Sequence, residues 1–340
     1  MDVFTRVLGK TRVSEQRKAP RKEDLLSPER KQDRRDGEPA KDQPKRKAEE
    51  VFENQPTEPE PELIPRERRE VQRRTTVRAH VVHEAIRAEG EDELKRPPAA
   101  LWWSGLAAGL SMGFSMATMG LLQAGLPDAP WAPLVSSLGY TIGFLIVILG
   151  RQQLFTENTL TVVLPLFRRR NWLTLRLVAR LWFIVLVANL LGALIFALGA
   201  TLTNAFPEGV ADAFSAIGHH AIQGSFLDTF FGAVLAGWLI ALMVWLMPSA
   251  DTARVTIIVI ITYVVALGGF AHIIAGSVET LYIMVSGEIG PLRYLWDFFL
   301  PTLTGNVIGG VALVATLNHA QVIAGSREDN DQGQDRKKRG

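Results

Sequence analysis

Polar and ionisable residues interrupt an apolar stretch of the chain at RQQLFTENTLTVV, residues 151–163. Arg151, Glu157 and Asn158 stand there between LVSSLGYTIGFLIVILG and a second apolar run that ends in three arginines. An ionisable group at membrane depth costs roughly 2.5–3.5 kcal/mol on insertion scales, and it usually marks an ion or proton pathway. The stretch therefore predicts a route for a small solute through a membrane.

A second interruption follows VTIIVIITYVVAL, residues 255–267, where the chain continues as GGFAHIIAGSVETL. A helix of that length rises only about 20 Å, which is short of the roughly 30 Å of the hydrocarbon core. His272 and Glu279 should therefore lie at membrane depth. Irregular backbone is tolerated at that depth only where it faces protein or a water-filled cavity.

Apolar runs of membrane-spanning length fill residues 101–317, and they predict an all-α membrane protein with six transmembrane helices. The predicted spans are 101–124, 134–167, 177–200, 226–247, 255–286 and 298–317, with the second and fifth broken. Each break lies in the middle span of three, and each contains a glutamate shortly before Thr-Leu. Halves of three spans insert with opposite orientation, so we expect an inverted repeat whose site lies where the broken helices meet.

Charge divides the chain into three regions. Residues 1–97 are rich in charged residues and proline, and most of this N-terminal arm should be disordered, although residues 70–96 are a candidate surface helix. Residues 98–320 form the predicted transmembrane domain, and 321–340 form a charged tail. Arginines cluster at 168–170, whereas the loops 125–133 and 202–225 contain no Lys or Arg. The positive-inside rule therefore predicts that both termini are cytoplasmic.

The composition bears on other kinds of chemistry. There is no cysteine, so disulfides, thiol catalysis and thiolate metal sites are excluded. His80, His83 and Glu84 do not match the H-E-x-x-H pattern, and we predict no metal and no cofactor. No nucleophile–base pair appears among the spans, so an enzyme is not expected.

The candidate residues also fit a structural interpretation. His272 could be a core histidine that hydrogen-bonds a carbonyl. Glu157 and Glu279 could each satisfy the amides of a broken helix, because a helix N-terminus attracts an anionic group. Glu157 could instead be neutralised by Arg151, and Asn306 could bond a loop carbonyl.

Four motifs in order carry a family resemblance: LFTENTL (154–160), ANLLGAL (188–194), GGFAH (268–272) and LPTLTGNVIGG (300–310). Across residues 100–320 the chain resembles the formate/nitrite transporter family. RQQLFTEN, GSVE and the long charged arm resemble its YfdC-type branch of inner-membrane proteins. The resemblance implies an aquaporin-like fold and a homopentamer with one pore per protomer.

The resemblance also implies roles for individual residues. Thr156 matches the loop threonine of the second span, and His272 matches the central histidine. Phe155 matches a bulky constriction residue, while Tyr140 and Phe144 match the pore wall. Family members move small monovalent anions of weak acids, and the histidine is proposed to contact the anion or to donate a proton to it.

The chain departs from the family pattern in charge. Glu157 and Glu279 replace small or apolar residues, Gly276 replaces an asparagine, and Ala271 replaces a glutamate. A lysine of the outer approach aligns with about Ala221. These departures argue against attraction of an anion and favour a cation or a neutral species such as ammonium or ammonia.

The resulting prediction is a bacterial inner-membrane channel or transporter for a small monovalent solute, with its pore at the two breaks. The solute is either a weak-acid anion of the formate or nitrite kind or, given the extra carboxylates, a cation or neutral species such as ammonium. The pore residues are predicted to be His272, Thr156, Glu157, Glu279, Phe155, Asn158, Tyr140, Phe144 and Asn306. The expected partners are further copies of the chain, the lipid bilayer and a small molecule or ion; no nucleic acid is expected. The alternative is a non-conducting scaffold or sensor that presents the N-terminal arm.

Overall fold

The computed structural model describes residues 64–66 and 79–316, with side chains omitted at 313 and 314. Every regular element in these ranges is a helix, which confirms the predicted all-helical class for this part of the chain. Most of the predicted N-terminal arm, the first residues of the candidate surface helix (70–78) and the predicted tail (321–340) lie outside the described residues.

The helices before residue 205 are of unequal length, and the second and the fifth are the longest. They are α1 (Ala79–Lys95), α2 (Pro98–Gly125), α3 (Ala132–Leu149), α4 (Val163–Arg169) and α5 (Trp172–Leu202). A single helical turn, Asn158–Thr161, precedes α4. Asn171 begins α5 as its N-cap, because its side chain accepts a hydrogen bond from the backbone N–H of Thr174 at 2.8 Å.

The helices after residue 205 are also of unequal length. They are α6 (Val210–Ala221), α7 (Phe226–Leu246), α8 (Arg254–Leu267), α9 (Ala275–Val285) and α10 (residues 291–315). Within α10, the α-helical turns Leu300–Ile308 lie between two wider π-helical stretches, Tyr294–Phe299 and Gly309–Ala315.

Four helices are long and apolar enough to cross a membrane: α2, α3, α5, and α7 with its continuation to Ser249. The predicted fifth span corresponds to α8 and α9, which are separated by seven non-helical or turn residues, 268–274. The predicted sixth span falls within and just beyond α10. The count of six spans remains a prediction.

Glycines allow two helix pairs to approach backbone to backbone. A β-carbon at Gly109 of α2 would overlap the backbone carbonyl of Asn189 on α5. In the second half, a β-carbon at Gly237 of α7 would overlap the backbone carbonyl of Asn306 on α10. Each half of the chain thus places a glycine of its first long helix against an asparagine of its last, as close helix packing in membranes requires.

Helix α1 packs on the short helices that follow the first break. Its buried side chains include Val82 and Ile86, which belong to an apolar cluster with Leu164 of α4. Gly90 approaches so closely that a β-carbon there would overlap the carbonyl of Thr161. The helix predicted from 70–96 is therefore a packed element of the described structure over Ala79–Lys95.

Candidate functional site

Two loops interrupt the helical structure at the predicted breaks, and their backbones begin in the same way. After α3, Gly150 N–H donates to Ile146 at 2.9 Å, and Arg151 adopts a left-handed φ of 50°. After α8, Gly268 N–H donates to Val264 at 3.0 Å, and Gly269 adopts a φ of 60°. We call residues 150–157 the first loop and residues 268–274 the second loop.

Asn189 of α5 fixes the first loop through three buried hydrogen bonds. Its side-chain oxygen accepts from Phe155 N–H at 2.9 Å. Its amide nitrogen donates to the carbonyls of Gln153 at 2.8 Å and Gly105 at 2.7 Å. The loop is therefore tied both to α5 and to α2.

Asn306 of α10 fixes the second loop in the same way. Its side-chain oxygen accepts from Ile273 N–H at 2.8 Å, and its amide donates to Ala271 at 2.9 Å and to Ala233 of α7 at 2.8 Å. In both loops the asparagine bonds a carbonyl and the N–H two residues later. Asn189 was not singled out as a site residue, although an asparagine inside an otherwise apolar helix is a signal for such a role.

His272 and Thr156 meet where the two loops approach each other. His272 Nε2 lies 2.8 Å from Thr156 Oγ1, and both side chains are buried. His272 Nδ1 accepts from the backbone N–H groups of Ile274 at 3.3 Å and Ala275 at 3.2 Å. Since Nδ1 is an acceptor, Nε2 carries the hydrogen of the neutral ring and donates it to the threonine hydroxyl.

Aromatic rings pack against His272 of this pair. Phe144 presents a T-shaped contact to His272 with ring centroids 5.0 Å apart, and Tyr140 lies 5.2 Å from Phe144. Phe155 is also buried, but its ring packs on Trp182 at 5.9 Å and borders neither of the two cavities described below. Its role at a constriction remains a prediction.

A larger cavity of about 860 Å³ reaches His272 from one side. Its wall includes Tyr140 and Glu279, and the residues that line it include no Lys or Arg. Glu279 is only 8% exposed and forms no hydrogen bond or ion pair with another described residue. It lies within α9, so it is not placed to cap the first turn of that helix.

A smaller cavity of about 330 Å³ lies next to the first loop, and α1 forms part of its wall. Glu157 lines it at the N-cap position of the turn Asn158–Thr161 but makes no side-chain capping bond. Arg151 pairs with Glu89 of α1 at 2.7 Å instead of with Glu157. Glu157 thus faces this cavity without a direct ion-pair partner among the described residues.

Asn158 is held by its neighbours in the smaller cavity. Its amide donates to Gln153 Oε1 at 3.0 Å and to the Leu154 carbonyl at 3.1 Å. Gln153 in turn donates to Glu93 of α1 at 2.9 Å. Across residues 79–316, no three His, Asp or Glu side chains are grouped so that they could hold a metal ion.

The predicted residues thus separate into four places. His272, Thr156, Phe144 and Tyr140 form the centre, where His272 and Tyr140 also border the larger cavity and Thr156 and Phe144 line neither cavity. Glu279 faces the larger cavity, and Glu157 and Asn158 face the smaller one. Phe155 and Asn306 contact supporting helices and line neither cavity.

Comparisons with known proteins agree with this architecture. The chain is 44% identical over 245 residues to the inner membrane protein YfdC of Escherichia coli, an alignment covering 72% of this chain and 79% of that protein. It is 28% identical over 254 residues to the uncharacterized transporter YrhG of Bacillus subtilis, covering 69% and 90% of the two chains. Among solved structures, a pentameric formate channel with formate bound matches with a TM-score of 0.58 at 20% identity, covering 66% of this chain and 98% of that chain.

The structural match shows that the chain shares the fold of that formate channel. The family model described as formate/nitrite transporter matches residues 80–320, which include both loops, both asparagines and α1. The chain is a membrane-embedded protein and belongs to the formate/nitrite transporter family.

Proposed function

We propose that the protein carries a small monovalent solute from the larger cavity, between the two loops, to the smaller cavity. In this proposal the chain has six spans, with the second and fifth broken, in an aquaporin-like inverted repeat. The matching bonds that Asn189 and Asn306 make to the two loops support the repeat. A homopentamer with one path per protomer is supported by the pentameric channel that shares the fold.

The proposed orientation follows from α1. This helix belongs to the N-terminal side of the chain, and it lines the smaller cavity. If the N-terminus is cytoplasmic, as the arginine distribution predicts, the smaller cavity opens to the cytoplasm. The larger cavity is then the outer entrance.

The solute passes the centre as a neutral molecule. The observation that carries this proposal is the 2.8 Å bond in which the His272 ring donates to Thr156. The threonine hydroxyl makes no other hydrogen bond to a described residue, so its own hydrogen remains available to the solute. One neutral donor beside buried aromatic rings does not replace the hydration of an ion, because burying an unpaired charge is very costly.

The first candidate solute is a weak acid of the formate or nitrite class. The names of a structural relative and of the family point to it. An anion would take up a proton before the centre, cross as the neutral acid and release the proton on the far side. The Thr156 hydroxyl would donate to an oxygen of the passing acid.

The second candidate is a weak base such as ammonia, which would arrive as ammonium, release a proton to water in the larger cavity, cross as the neutral base and take up a proton on the far side. The specific observation in its favour is the lining of the larger cavity, which contains three carboxylic side chains, Asp128, Asp228 and Glu279, and no Lys or Arg. A lone pair of the base would accept the Thr156 hydrogen.

The direction of a pH change separates these candidates. We would reconstitute the purified protein in vesicles that enclose a pH dye, and apply inward gradients of sodium formate or ammonium chloride. Entry of a neutral acid acidifies the interior, whereas entry of ammonia makes it alkaline. Protein-free vesicles give the background, and His272→Phe should abolish the protein-dependent part. Reversal potentials measured under the same gradients would detect passage of the ions themselves, which would contradict neutral passage.

The scaffold or sensor remains the alternative function. It predicts no protein-dependent flux of either solute in a correctly assembled protein. Deletion of residues 1–65 provides a second test. This deletion tests the arm separately from the non-conducting function. If the protein transports, unchanged transport together with loss of a recruited partner would favour a partner-recruiting role for the arm, and loss of transport would count against that role.

A further inference from the structure

We infer that the larger cavity is a binding site for small primary alkylammonium cations, with the Glu279 carboxylate as the anionic partner. This inference rests on the proposed function only in taking the larger cavity as an entrance open to solutes. Binding at the site does not require that the solute then crosses the centre.

The charges around the larger cavity have one sign. Asp128, Asp228 and Glu279 line it, together with His220 and His272, and no arginine or lysine is among the lining residues. Water-exposed carboxylates in a concave, low-dielectric site raise the local concentration of cations and lower that of anions. We therefore expect the cavity to concentrate cations more than anions such as formate.

Glu279 differs from the other two carboxylic residues in its environment. The Asp228 carboxylate accepts a hydrogen bond from the Ser225 hydroxyl at 2.6 Å, in the capping box that begins α7. Asp128 lies in the loop between α2 and α3. Glu279 is 8% exposed, lines the cavity and has no hydrogen-bond partner among the described residues.

Buried carboxylates are normally hydrogen-bonded, so an unpartnered one in a cavity wall needs a donor. A primary ammonium group supplies three N–H donors and a compensating charge. A formate ion has no N–H donor and no positive charge.

Aromatic residues provide the rest of the recognition. Tyr140, Phe270 and Phe298 line the same cavity as Glu279. Phe298 reaches the wall because residue 276 is glycine: a β-carbon there would lie 2.5 Å from Phe298 Cζ. Aromatic faces attract an ammonium group by cation–π interaction and also accommodate its alkyl substituent. Gly276 and Glu279, one turn of α9 apart, thus create the aromatic and the anionic part of one site.

The volume fits a molecule larger than ammonium itself. About 860 Å³ lies within the range of small-molecule sites, about 300–1,000 Å³. An alkyl group would fill apolar space that a bare ammonium ion leaves to water. Methylammonium is the smallest probe that tests the ammonium and the alkyl group together.

The test is titration of methylammonium chloride into the full-length protein in lipid nanodiscs, followed by calorimetry, with sodium formate as the competing probe. We expect saturable methylammonium binding that formate does not displace. Glu279→Gln should weaken the affinity by at least about tenfold. Glu279→Asp keeps the charge and should retain part of the affinity, and Phe298→Leu should weaken it without removing it.

Glu288→Gln is the matched control, because Glu288 bonds His219 at 2.8 Å and does not line the larger cavity. It should leave the methylammonium affinity within about twofold of the original. Size-exclusion profiles show whether each variant has assembled, and the Glu279→Asp protein serves as the reference if Glu279→Gln does not fold.

Several outcomes would overturn the inference. These are absence of methylammonium binding, equal affinity in the Glu279→Gln protein, or displacement of methylammonium by formate at equal concentration. If binding fails while the vesicles still show His272-dependent flux, the site is wrong and the proposed path stands. If binding follows Glu279 but no solute crosses, the path is wrong and the site stands.

Discussion

At the scale of single residues, the orientation of one imidazole ring decides what the centre can do. Two backbone N–H groups point at His272 Nδ1, so this nitrogen cannot carry a proton without losing both bonds. The ring is therefore fixed as a donor towards Thr156 at 2.8 Å. In the proposed function, the hydroxyl passes the donor function on to a solute, so Thr156 is the side chain proposed to contact the passing molecule.

Removal of that hydroxyl should impair transport without unfolding the protein. Thr156→Val keeps the shape of the side chain but leaves the buried His272 N–H unpaired, a change that costs about 1–3 kcal/mol. We expect the protein-dependent vesicle flux to fall by about tenfold to a hundredfold, as the same energy in a barrier implies. Thr156→Ser retains a hydroxyl and should keep most of the flux. Equal flux in the Val and Ser variants would show that the hydroxyl does not contact the solute.

At the scale of elements, the two loops are held by equivalent bonds from different helices. Asn189 reaches the first loop from α5 and Asn306 reaches the second from α10, and each also bonds a carbonyl on α2 or α7. Neither asparagine lines the larger or the smaller cavity. Their contribution to transport must therefore act through the position of the loop backbone.

Asn189→Leu and Asn306→Leu should therefore have similar effects. Each removes three hydrogen bonds, all of them buried or partly buried, and leaves loop groups unsatisfied, so each should lower the thermal unfolding midpoint and abolish flux. Tryptophan fluorescence during heating and the vesicle assay measure the two effects. Asn204→Ala, at an exposed position, is the control and should change neither. A large effect at one asparagine alone would contradict the equivalence of the loops.

Attachment of α1 to α4 should depend on pH. The hydrogen bond from Arg169, at 3.1 Å, lowers the pKa of Glu91 below its usual value of 4.5, with burial opposing it and Arg87 assisting. A lowered pKa means that the stabilisation is complete above pH 4.5 and is lost as the pH falls through the lowered value. Attachment of α1 should therefore be unchanged near neutrality and weaken only in strong acid.

The absence of native cysteines makes this prediction easy to measure, because a single introduced cysteine takes a single spin label. A label at Ala88→Cys on α1 should become more mobile below pH 4.5, the usual pKa of Glu91. A label at Ala211→Cys on α6 serves as the control for acid effects elsewhere. Arg169→Gln should raise the pH at which the α1 label is released, and no shift in that variant would contradict the assigned bond.

Sequence reasoning reached the elements that depend on local pattern. The polar residues at 151–163 and the short apolar run at 255–267 indicated where the two spans are broken. It did not identify Asn189 as a site residue. An asparagine within an apolar helix indicates only that its amide needs hydrogen-bond partners, and which groups those are depends on how α2 and α5 pack. It also left Glu157 paired with Arg151 as one option, but the ion pair of Arg151 with Glu89 depends on how α1 packs.

At the scale of the whole molecule, every part of the proposed path comes from one protomer. The centre, both cavities and both asparagines lie within residues 85–306 of a single chain. Each copy in the proposed pentamer should then transport independently. The assembly would hold the copies in the membrane without contributing side chains to the centre.

Mixed assemblies test this independence. Wild-type and His272→Phe chains carrying different affinity tags would be co-expressed at varied ratios, purified through both tags and reconstituted. Independent paths predict that flux falls linearly with the fraction of mutant chains, to about half at equal proportions. A single shared path in a closed assembly predicts no protein-dependent flux, because every assembly purified through both tags contains at least one mutant chain. Counting tags by native mass spectrometry gives the composition of each sample, and a strongly curved dependence would show that the chains act on a common path.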